Sequence, residues 1–465
     1  MSSDRLTQNQ LIDGFDFDPP EDGSRRLTIG WLSLALGSLV VGGLFTILIV
    51  MSRTPGIQEI FPWIDFFHTA LVVHVDLTVL VWFLSCAGIF WTLNSSEGCS
   101  RCGWGALLLA LLGTAIISLS PFLGAGGPLM NNYVPVLRDP IFFTGLGIFG
   151  LGFTLLVVRG LFFSKPMGKT VTGAGALRFG LFSALIIALI SVGSVIASYF
   201  GIPDAIEGQH YYELLFWGGG HTIQFTHVQL MLVGWLWLAT MSGLNVKISP
   251  RIVVLMLALG AIPALMTIYV YIAFDVGSGE HMLWLTWLMQ YGGGIAALPL
   301  ALALIPAFFS SPRIVDDQLR AQRFALLFSI LLFGIGGIIG FMISGSNVTI
   351  PAHYHGSIVA VTLAFMGVIY HILPRIGFRK PTGKMARFQP AVYGIGQMMH
   401  VFGLAWSGGY GVQRKTAGSA QGLESIEKIV SMGFMGLGGL IAIIGGILFL
   451  IVVFKAMWPA KQLNN

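Results

Sequence analysis

Two histidines, His353 and His355, stand on either side of Tyr354 in the stretch AHYHG, near the start of an apolar run of helical length. Residues two positions apart on an α-helix point about 200° away from each other. The two imidazoles therefore cannot bind one metal ion from a regular helix, but they can bind two metals on opposite sides of it. Neutral imidazole is a standard axial ligand of haem iron. The pair predicts a helix that lies between two haems.

Other ionisable side chains lie at a similar depth in separate apolar stretches. His74 lies about eight residues into its stretch and His221 about nine, which at 1.5 Å per residue places them, like the first pair, roughly 6–14 Å below the outer membrane boundary. The segment FDVGSGEHMLW adds Asp275, Glu280 and His281 at the outer end of the seventh stretch. Ionisable residues inside a membrane are costly and mark functional sites. We therefore expect these side chains to form one site near the outer face.

The elements that carry these residues are apolar helices. Of the 465 residues, 55% are hydrophobic and 10% are charged, and the mean hydropathy is +0.82, whereas soluble proteins carry about 25% charged residues. We predict an all-α, polytopic membrane protein with a twelve-helix domain over residues 27–457, flanked by polar cytoplasmic tails at 1–26 and 458–465. The apolar stretches long enough to cross a bilayer are 27–51, 66–93, 103–124, 140–163, 176–202, 212–243, 251–274, 282–310, 322–344, 349–373, 389–409 and 430–457.

The distribution of Lys and Arg predicts the orientation of the chain. With the N-terminus inside, 20 of the 25 basic residues lie on the inner side and 5 on the outer side. Because basic residues accumulate on the cytoplasmic side of membrane proteins, both termini are predicted to face the cytoplasm, in a prokaryotic inner membrane. The net charge of +5 then reflects topology, and nucleic-acid binding is not expected. The outer five are Arg53, Arg138, Arg414, Lys415 and Lys428.

The three cysteines, Cys86, Cys99 and Cys102, are expected to be free thiols. Cys99 and Cys102 lie in a CSRC segment on the reducing side, without further metal ligands nearby in the sequence. The chain has no Cys-x-x-Cys-His sequence for covalent haem attachment and no cysteine pair suited to a binuclear copper centre. A redox role would therefore need electrons from a partner, which would be a cytochrome or copper-protein subunit or a quinol.

With these residues in place, the chain resembles the catalytic subunit of the haem–copper oxidase superfamily, which includes oxygen-reducing terminal oxidases and nitric oxide reductases. The resemblance covers nearly the whole chain. It implies twelve helices, a low-spin haem, a high-spin haem that binds a gas, and a second metal that is copper or non-haem iron. The stretches that carry it are AHYHG, NNYVPVLRDPIFFTGLG, FWGGGHTIQFTH and GGYGVQRKTAG.

The resemblance assigns the haem ligands residue by residue. His353 corresponds to the proximal ligand of the high-spin haem and His355 to an axial ligand of the low-spin haem. The second axial ligand comes from the stretch FHTALVVHVDLTVLVW, which offers His68 and His74. We expect His74, because its depth matches that of His355, whereas His68 lies near the interface. Asp76 is expected to contact a haem edge, a proton path or a structural partner.

The second metal is where the sequence departs from the family. His221 matches the histidine of the sixth helix, but the two adjacent histidines expected on the seventh helix are absent. Glu280 and His281 are the nearest counterparts, with Asp275 as an alternative carboxylate. A carboxylate is a harder ligand than imidazole and shifts the preference from copper towards iron.

The tyrosine that many oxidases carry four residues after the sixth-helix histidine is also missing. Phe225 stands at that position, and Tyr269 or Tyr271 could replace the tyrosine from the seventh span. The outer segment GVQRK places Arg414 and Lys415 where the family has a basic pair, and paired cations hold haem propionates well. Arg138 is a further candidate for that role.

Reduction of a small diatomic gas is the expected activity. The altered histidine pair, Phe225 and the few ionisable residues in the inner halves of the spans favour nitric oxide reduction over oxygen reduction by a cytochrome c or quinol oxidase. A secondary transporter is the remote alternative. Transporters usually show repeated halves, which are not detected in this sequence, and they have no need of histidines at matched depths. His227, His371 and His400 are expected to be structural.

Overall fold

The computed structural model describes residues 14–53, 66–96, 98–124, 126–416 and 421–458. Within these ranges the chain forms twelve long helical elements, labelled α1 to α12 in chain order. They are α1 (Asp22–Arg53), α2 (Phe66–Val75, a π-helical turn at Asp76–Val81, and Trp82–Leu93), α3 (Ser100–Leu119), α4 (Pro140–Phe163), α5 (Gly173–Gly201), α6 (Gly208–Met241), α7 (Pro250–Ala273), α8 (Gly279–Gly292 and Ala297–Ser310), α9 (Asp317–Phe341), α10 (Thr349–Arg375), α11 (Gly383–Gly409) and α12 (Ile426–Met457).

The all-α prediction is confirmed. Ten of these helices, counted over the described ranges, are long and apolar enough to cross a membrane, so the chain is a multi-pass membrane protein. The remaining two, α6 and α11, are equally long but carry more polar residues, such as His227, Gln229 and Gln397. Twelve full spans therefore stay a prediction.

Helix α10 lies at the centre of the bundle and positions the histidine pair. It packs against α6, α9 and α11, and it is the most buried of the ten apolar helices. Its contact with α9 is very close: a Cβ atom on Gly356 would lie 2.6 Å from the Cα of Gly336. Only glycine allows two helix backbones to approach this far. The carbonyl oxygens of α9 are thereby brought within reach of side chains on α10.

The segment from residue 14 to the start of α1 packs across the end of the bundle that is predicted to face the cytoplasm. Phe15 and Phe17 are buried, with 1% and 7% exposure. Between them, Asp16 accepts two hydrogen bonds of 2.7 Å from the guanidinium of Arg375 and one of 2.7 Å from the indole N–H of Trp237. Of the predicted polar tail at 1–26, residues 1–13 lie outside the described part, and helix α1 already begins at Asp22.

Two more acidic residues join this inner-face network. Asp18 pairs with Arg178 at 2.7 Å, and Glu21 pairs with Lys165 at 3.5 Å. Both basic residues were assigned to the inner side from the sequence, so the N-terminal segment lies on the same side as the loops rich in Lys and Arg. Of the predicted tail at 458–465, only Trp458 lies within the described ranges.

The prediction of three free thiols is wrong for two of them. Cys99 and Cys102 form a disulfide, with their Cα atoms 5.3 Å apart, while Cys86 is buried and free. Cys99 precedes α3 and its sulfur accepts the backbone N–H of Cys102. This first helical turn brings the two side chains together. The expectation of free thiols rested only on the reducing side of the membrane and did not include this geometry.

Replacing Asp16 by Asn should lower the free energy of unfolding by about 1–3 kcal/mol, because the partly buried Arg375 then loses its charged partner. Thermal unfolding of the detergent-solubilised protein measures the effect. Asp18→Asn is the matched control: the Asp18 side chain is 73% exposed, and exposed ion pairs contribute about 0–1 kcal/mol. Equal losses in the two variants would contradict a special role for the Asp16 contact.

Candidate active site

His74 is held in a defined orientation by helix α1. Its Nδ1 lies 3.0 Å from the carbonyl oxygen of Gly42 and 2.9 Å from Oγ1 of Thr46. A carbonyl oxygen only accepts hydrogen bonds, so Nδ1 carries the proton and Nε2 keeps its lone pair. This is the arrangement in which a histidine serves as a metal ligand, since a hydrogen bond from the other nitrogen fixes the ring. His74 therefore fits a haem ligand.

The two histidines of α10 face different neighbours, as expected from the helical geometry. Nδ1 of His353 donates to the carbonyl oxygen of Gly336 on α9 at 2.7 Å. The His355 ring instead lies 4.8 Å from the ring of His400 on α11. His353 thus has a fixed tautomer with its lone pair on Nε2, while the ring of His355 lies against α11.

His68, the alternative to His74, lies near the beginning of α2 with its ring edge-on to Phe67, at 4.9 Å between ring centroids. His400 was expected to be structural, and its Nδ1 donates to the carbonyl oxygen of Met435 at 3.1 Å. The aromatic contact with His355 was not anticipated from the sequence. Both observations leave His74 as the candidate partner of His355.

His221 on α6 lies against a tyrosine that the sequence analysis missed. Its Nδ1 donates to the carbonyl oxygen of Trp217 at 2.8 Å, and its Nε2 lies 2.9 Å from the hydroxyl of Tyr133. Tyr133 belongs to the loop of a short antiparallel hairpin, β1 (Pro128–Leu129) and β2 (Val136–Leu137), between α3 and α4. The only available signal was its place in the stretch NNYVPVLRD.

His281, at the start of α8, is fully buried. Neither of its ring nitrogens has a hydrogen-bond partner among the described residues. Its backbone N–H donates to Ser278, the residue that caps α8, and this start of the helix sets the direction of the ring. The indole N–H of Trp217, whose ring lies 4.7 Å from that of His221, donates to the carbonyl oxygen of Met282, the residue after His281, at 3.3 Å. A buried imidazole without a partner is costly, so His221 and His281 fit part of a metal site.

The carboxylates proposed beside His281 are not brought to it. Glu280 and Asp275 are both exposed, because successive residues of a helix point about 100° apart and the buried direction at the start of α8 belongs to His281. No group of three or more His, Cys, Asp or Glu side chains suited to a metal occurs in the described ranges. Two imidazoles therefore fit a second metal, while the position of Glu280 does not support it as their partner.

The two tyrosines of α7 differ in their placement. Tyr269 is 52% exposed, whereas the ring of Tyr271 lies edge-on to His281, at 4.8 Å between ring centroids. The hydroxyl of Tyr271 lies 2.7 Å from that of Ser198. Phe225 is buried beside Gly292. Of the two candidate replacements for the missing tyrosine, only Tyr271 faces the site.

The outer cations lie over His221 and its tyrosine. Arg414 donates to the side-chain oxygen of Asn132 at 3.2 Å, and the ammonium of Lys415 donates to the carbonyl oxygen of Met130. Burial, and then the neighbouring Arg414, lower the pKa of Lys415 to about 8. An anion such as a propionate beside Lys415 would raise this pKa again. Arg138, the third candidate, is exposed.

Three further polar residues lie inside the bundle. Both carboxylate oxygens of Asp76, in the π-helical turn of α2, and Nε2 of His227 and of His371 are buried without a hydrogen-bond partner among the described residues. His227 packs against Phe83, and His371 packs against Trp237. The aromatic packing is compatible with the structural roles expected for the two histidines.

Comparison with known proteins gives two relatives of similar length. The uncharacterized protein RP382 of Rickettsia prowazekii (strain Madrid E) is 31% identical over 507 residues, covering 95% of this chain and 98% of that protein. An uncharacterized protein of Aquifex aeolicus (strain VF5) is 30% identical over 360 residues, covering 77% and 88%. The chain belongs to the same family as these proteins. No family model matches the sequence.

The fold has a solved counterpart. A haem–copper terminal oxidase dimer, determined by cryo-EM, superimposes with a TM-score of 0.68 at 15% identity, over 95% of this chain and 85% of the oxidase chain. The chain has the haem–copper oxidase fold. The resemblance read from the sequence is thus confirmed at the level of the fold, and the proposed haem ligands stay predictions.

Within this haem–copper oxidase fold, His74→Ala or His355→Ala should remove the low-spin, six-coordinate haem spectrum and leave one gas-binding haem. His353→Ala should do the reverse, because its imidazole faces the other side of α10. Optical and electron paramagnetic resonance spectra of the purified variants measure both effects. His68→Ala is the control and should leave the spectra unchanged; loss of the low-spin signal in this variant would show that the α2 ligand is wrong.

Replacing Arg414 by Ala should lower the midpoint potential of a haem without loss of the haem. Removing a nearby cation favours the oxidised haem, and for a partly screened charge the free energy of reduction changes by roughly 1 kcal/mol. A spectroscopic redox titration measures the shift. Arg138→Ala is the control, because Arg138 is exposed and should change the potential less. Identical titration curves for wild type and Arg414→Ala would remove Arg414 from the propionate site.

Proposed function

We propose that this protein is the catalytic subunit of a respiratory oxidoreductase, with a low-spin haem held by His74 and His355 and a high-spin haem held by His353. One observation carries the proposal: the two imidazoles of α10 face different sides of a central helix in a haem–copper oxidase fold. The hydrogen bonds from Nδ1 of His74 to the carbonyl oxygen of Gly42, at 3.0 Å, and from Nδ1 of His353 to that of Gly336, at 2.7 Å, support the proposal. When bound, haem iron supplies electron transfer and gas binding.

The side chains around these positions orient the imidazoles and exclude water. The carbonyl oxygens of Gly42 and Gly336 hold the ring protons on Nδ1, which keeps each Nε2 lone pair directed to its ligand position. Tyr271 closes one side of His281 with its ring and keeps its hydroxyl on Ser198. The outer cations, Arg414 and Lys415, supply positive charge for carboxylates at the rim.

The reaction that we propose is reduction of nitric oxide to nitrous oxide and water, with non-haem iron as the second metal rather than copper. His221 and His281 supply imidazoles, and the adjacent histidine pair of the copper enzymes is absent. Phe225 occupies the position of the tyrosine that many oxidases use and is buried. Both departures concern groups associated with oxygen reduction.

Oxygen reduction is the second candidate. It is favoured by the solved counterpart, whose description is a haem–copper terminal oxidase, and by the phenols of Tyr133 and Tyr271 beside His221 and His281. In either case we propose that electrons arrive from a cytochrome or copper-protein subunit or from a quinol. We further propose that the protein lies in a prokaryotic inner membrane with both termini in the cytoplasm.

Purification from the native membrane with any bound subunits, followed by haem quantification and turnover assays with an artificial electron donor, tests the proposal. We expect two haems per chain, a Soret band, and faster consumption of NO than of O₂. His353→Ala should reduce turnover by at least about 100-fold, which corresponds to roughly 2.7 kcal/mol, while His68→Ala retains it.

The outcomes separate the candidates. Oxygen turnover that exceeds NO turnover would replace nitric oxide reduction by oxygen reduction. A colourless protein without a Soret band would overturn both redox functions and return the secondary transporter as the alternative.

A further inference from the structure

The hydroxyl of Tyr133 lies on the side of His221 to which a metal would bind. Because Nδ1 of His221 donates to the carbonyl oxygen of Trp217 at 2.8 Å, only Nε2 is free to bind a metal. That atom lies 2.9 Å from the Tyr133 hydroxyl, and the two rings are 4.8 Å apart. The hydroxyl therefore donates its proton to the same lone pair that would bind the metal.

Tyr133 is held in this position by a network on the hairpin loop. The backbone N–H of the preceding residue, Asn132, donates to the carboxylate of Glu213 on α6 at 3.1 Å, and the Asn132 amide donates to the same carboxylate. Arg414 donates to the Asn132 oxygen from the opposite side. Glu213 and His221 lie on one helix, so this network ties the tyrosine to the element that carries its histidine.

The local sequence of α6 leaves room for the ring. A Cβ atom on Gly220 would lie 2.1 Å from the Tyr133 ring, and one on Gly218 would lie 2.0 Å from the Tyr271 hydroxyl. Any other residue at either position would push a tyrosine away from the histidines. The glycine run before His221 is thus required for two phenols to reach the site.

A second, independent observation points to a missing ligand. His281 has 0% exposure and no hydrogen-bond partner for either ring nitrogen among the described residues. It lies on the same side as His221, because Trp217, whose ring is 4.7 Å from that of His221, donates its indole N–H to the carbonyl oxygen of Met282 at 3.3 Å. The other nearby phenol is already engaged, since the Tyr271 hydroxyl bonds to Ser198. Glu280, the carboxylate expected from the sequence, is exposed.

We infer that the phenolate oxygen of Tyr133 is a protein ligand of the second metal, together with His221 and His281. The inference rests on the proposed function, which supplies that metal. On binding, the bond between the phenolic proton and Oη breaks, a metal–oxygen bond forms, and one proton is released to water. The hydrogen bond to His221 is lost at the same time, which frees its Nε2 for the metal. An anionic oxygen beside two imidazoles suits iron.

The test uses the full chain with its haems in place. Non-haem metal is removed with a chelator, the protein is reloaded with Fe(II) alone, and the iron is oxidised with ferricyanide. Resonance Raman spectra, excited away from the Soret band, are recorded with ordinary and with ring-deuterated tyrosine. We expect one non-haem iron per chain and tyrosinate vibrations that shift on deuteration.

Tyr133→Phe keeps the ring and removes the oxygen, so it should abolish these vibrations. It should weaken iron binding by at least about 100-fold, because loss of even an outer-shell partner costs about 10–100-fold in metal affinity. Tyr133→His is a second variant that returns a donor atom, and it should restore iron binding without tyrosinate vibrations. Tyr212→Phe is the matched control at the same end of the bundle, where the Tyr212 ring stacks on Phe143. It should leave both measurements unchanged.

Two results would overturn the inference: iron bound without tyrosinate vibrations in the wild type, or vibrations that persist in Tyr133→Phe. A protein with two haems that binds no second metal would also overturn it, while leaving the haem assignments intact. Absence of haem would instead defeat the proposed function itself. The two failures are therefore distinguished by the haem content of the same samples.

Discussion

An imidazole inside a membrane has one N–H that must find an acceptor, because no water is available there and an unpaired polar group costs several kcal/mol by rough estimate. In this protein His74, His221 and His353 each meet the requirement in the same way, with Nδ1 donating to a backbone carbonyl oxygen. The acceptor fixes the tautomer, so the lone pair of the ring lies on Nε2. The same hydrogen bond thus gives the buried N–H its acceptor and leaves the other nitrogen able to bind a metal.

For His74 and His353 the acceptor belongs to a neighbouring helix, Gly42 on α1 and Gly336 on α9, whose backbone comes close. The carbonyl of Gly336 reaches His353 at a place where α9 and α10 touch through glycines. Gly220 likewise allows Tyr133 to lie against α6. Side-chain chemistry at the site therefore depends on residues that have no side chain.

Features set by local periodicity could be predicted from the sequence. The apolar stretches gave the helices, and the spacing of His353 and His355 gave their divergent directions. Features set by distant contacts or by the first turn of a helix could not. Tyr133 meets a histidine 88 residues away through a loop, and the cap at Ser278 decides that His281 is buried while its neighbour is exposed. The Cys99–Cys102 disulfide depends in the same way on how α3 starts.

The hairpin that carries Tyr133 has a consequence for biogenesis. Its loop is fastened by Arg414 and Lys415, which follow their partners by 282 and 285 residues along the chain. During synthesis these two side chains emerge only after the first eleven helices, so the cover over His221 stays incomplete until nearly the whole polypeptide has been inserted. A cofactor delivered before residue 415 has been translated therefore meets an open bundle, and the last 50 residues follow after the cover is in place.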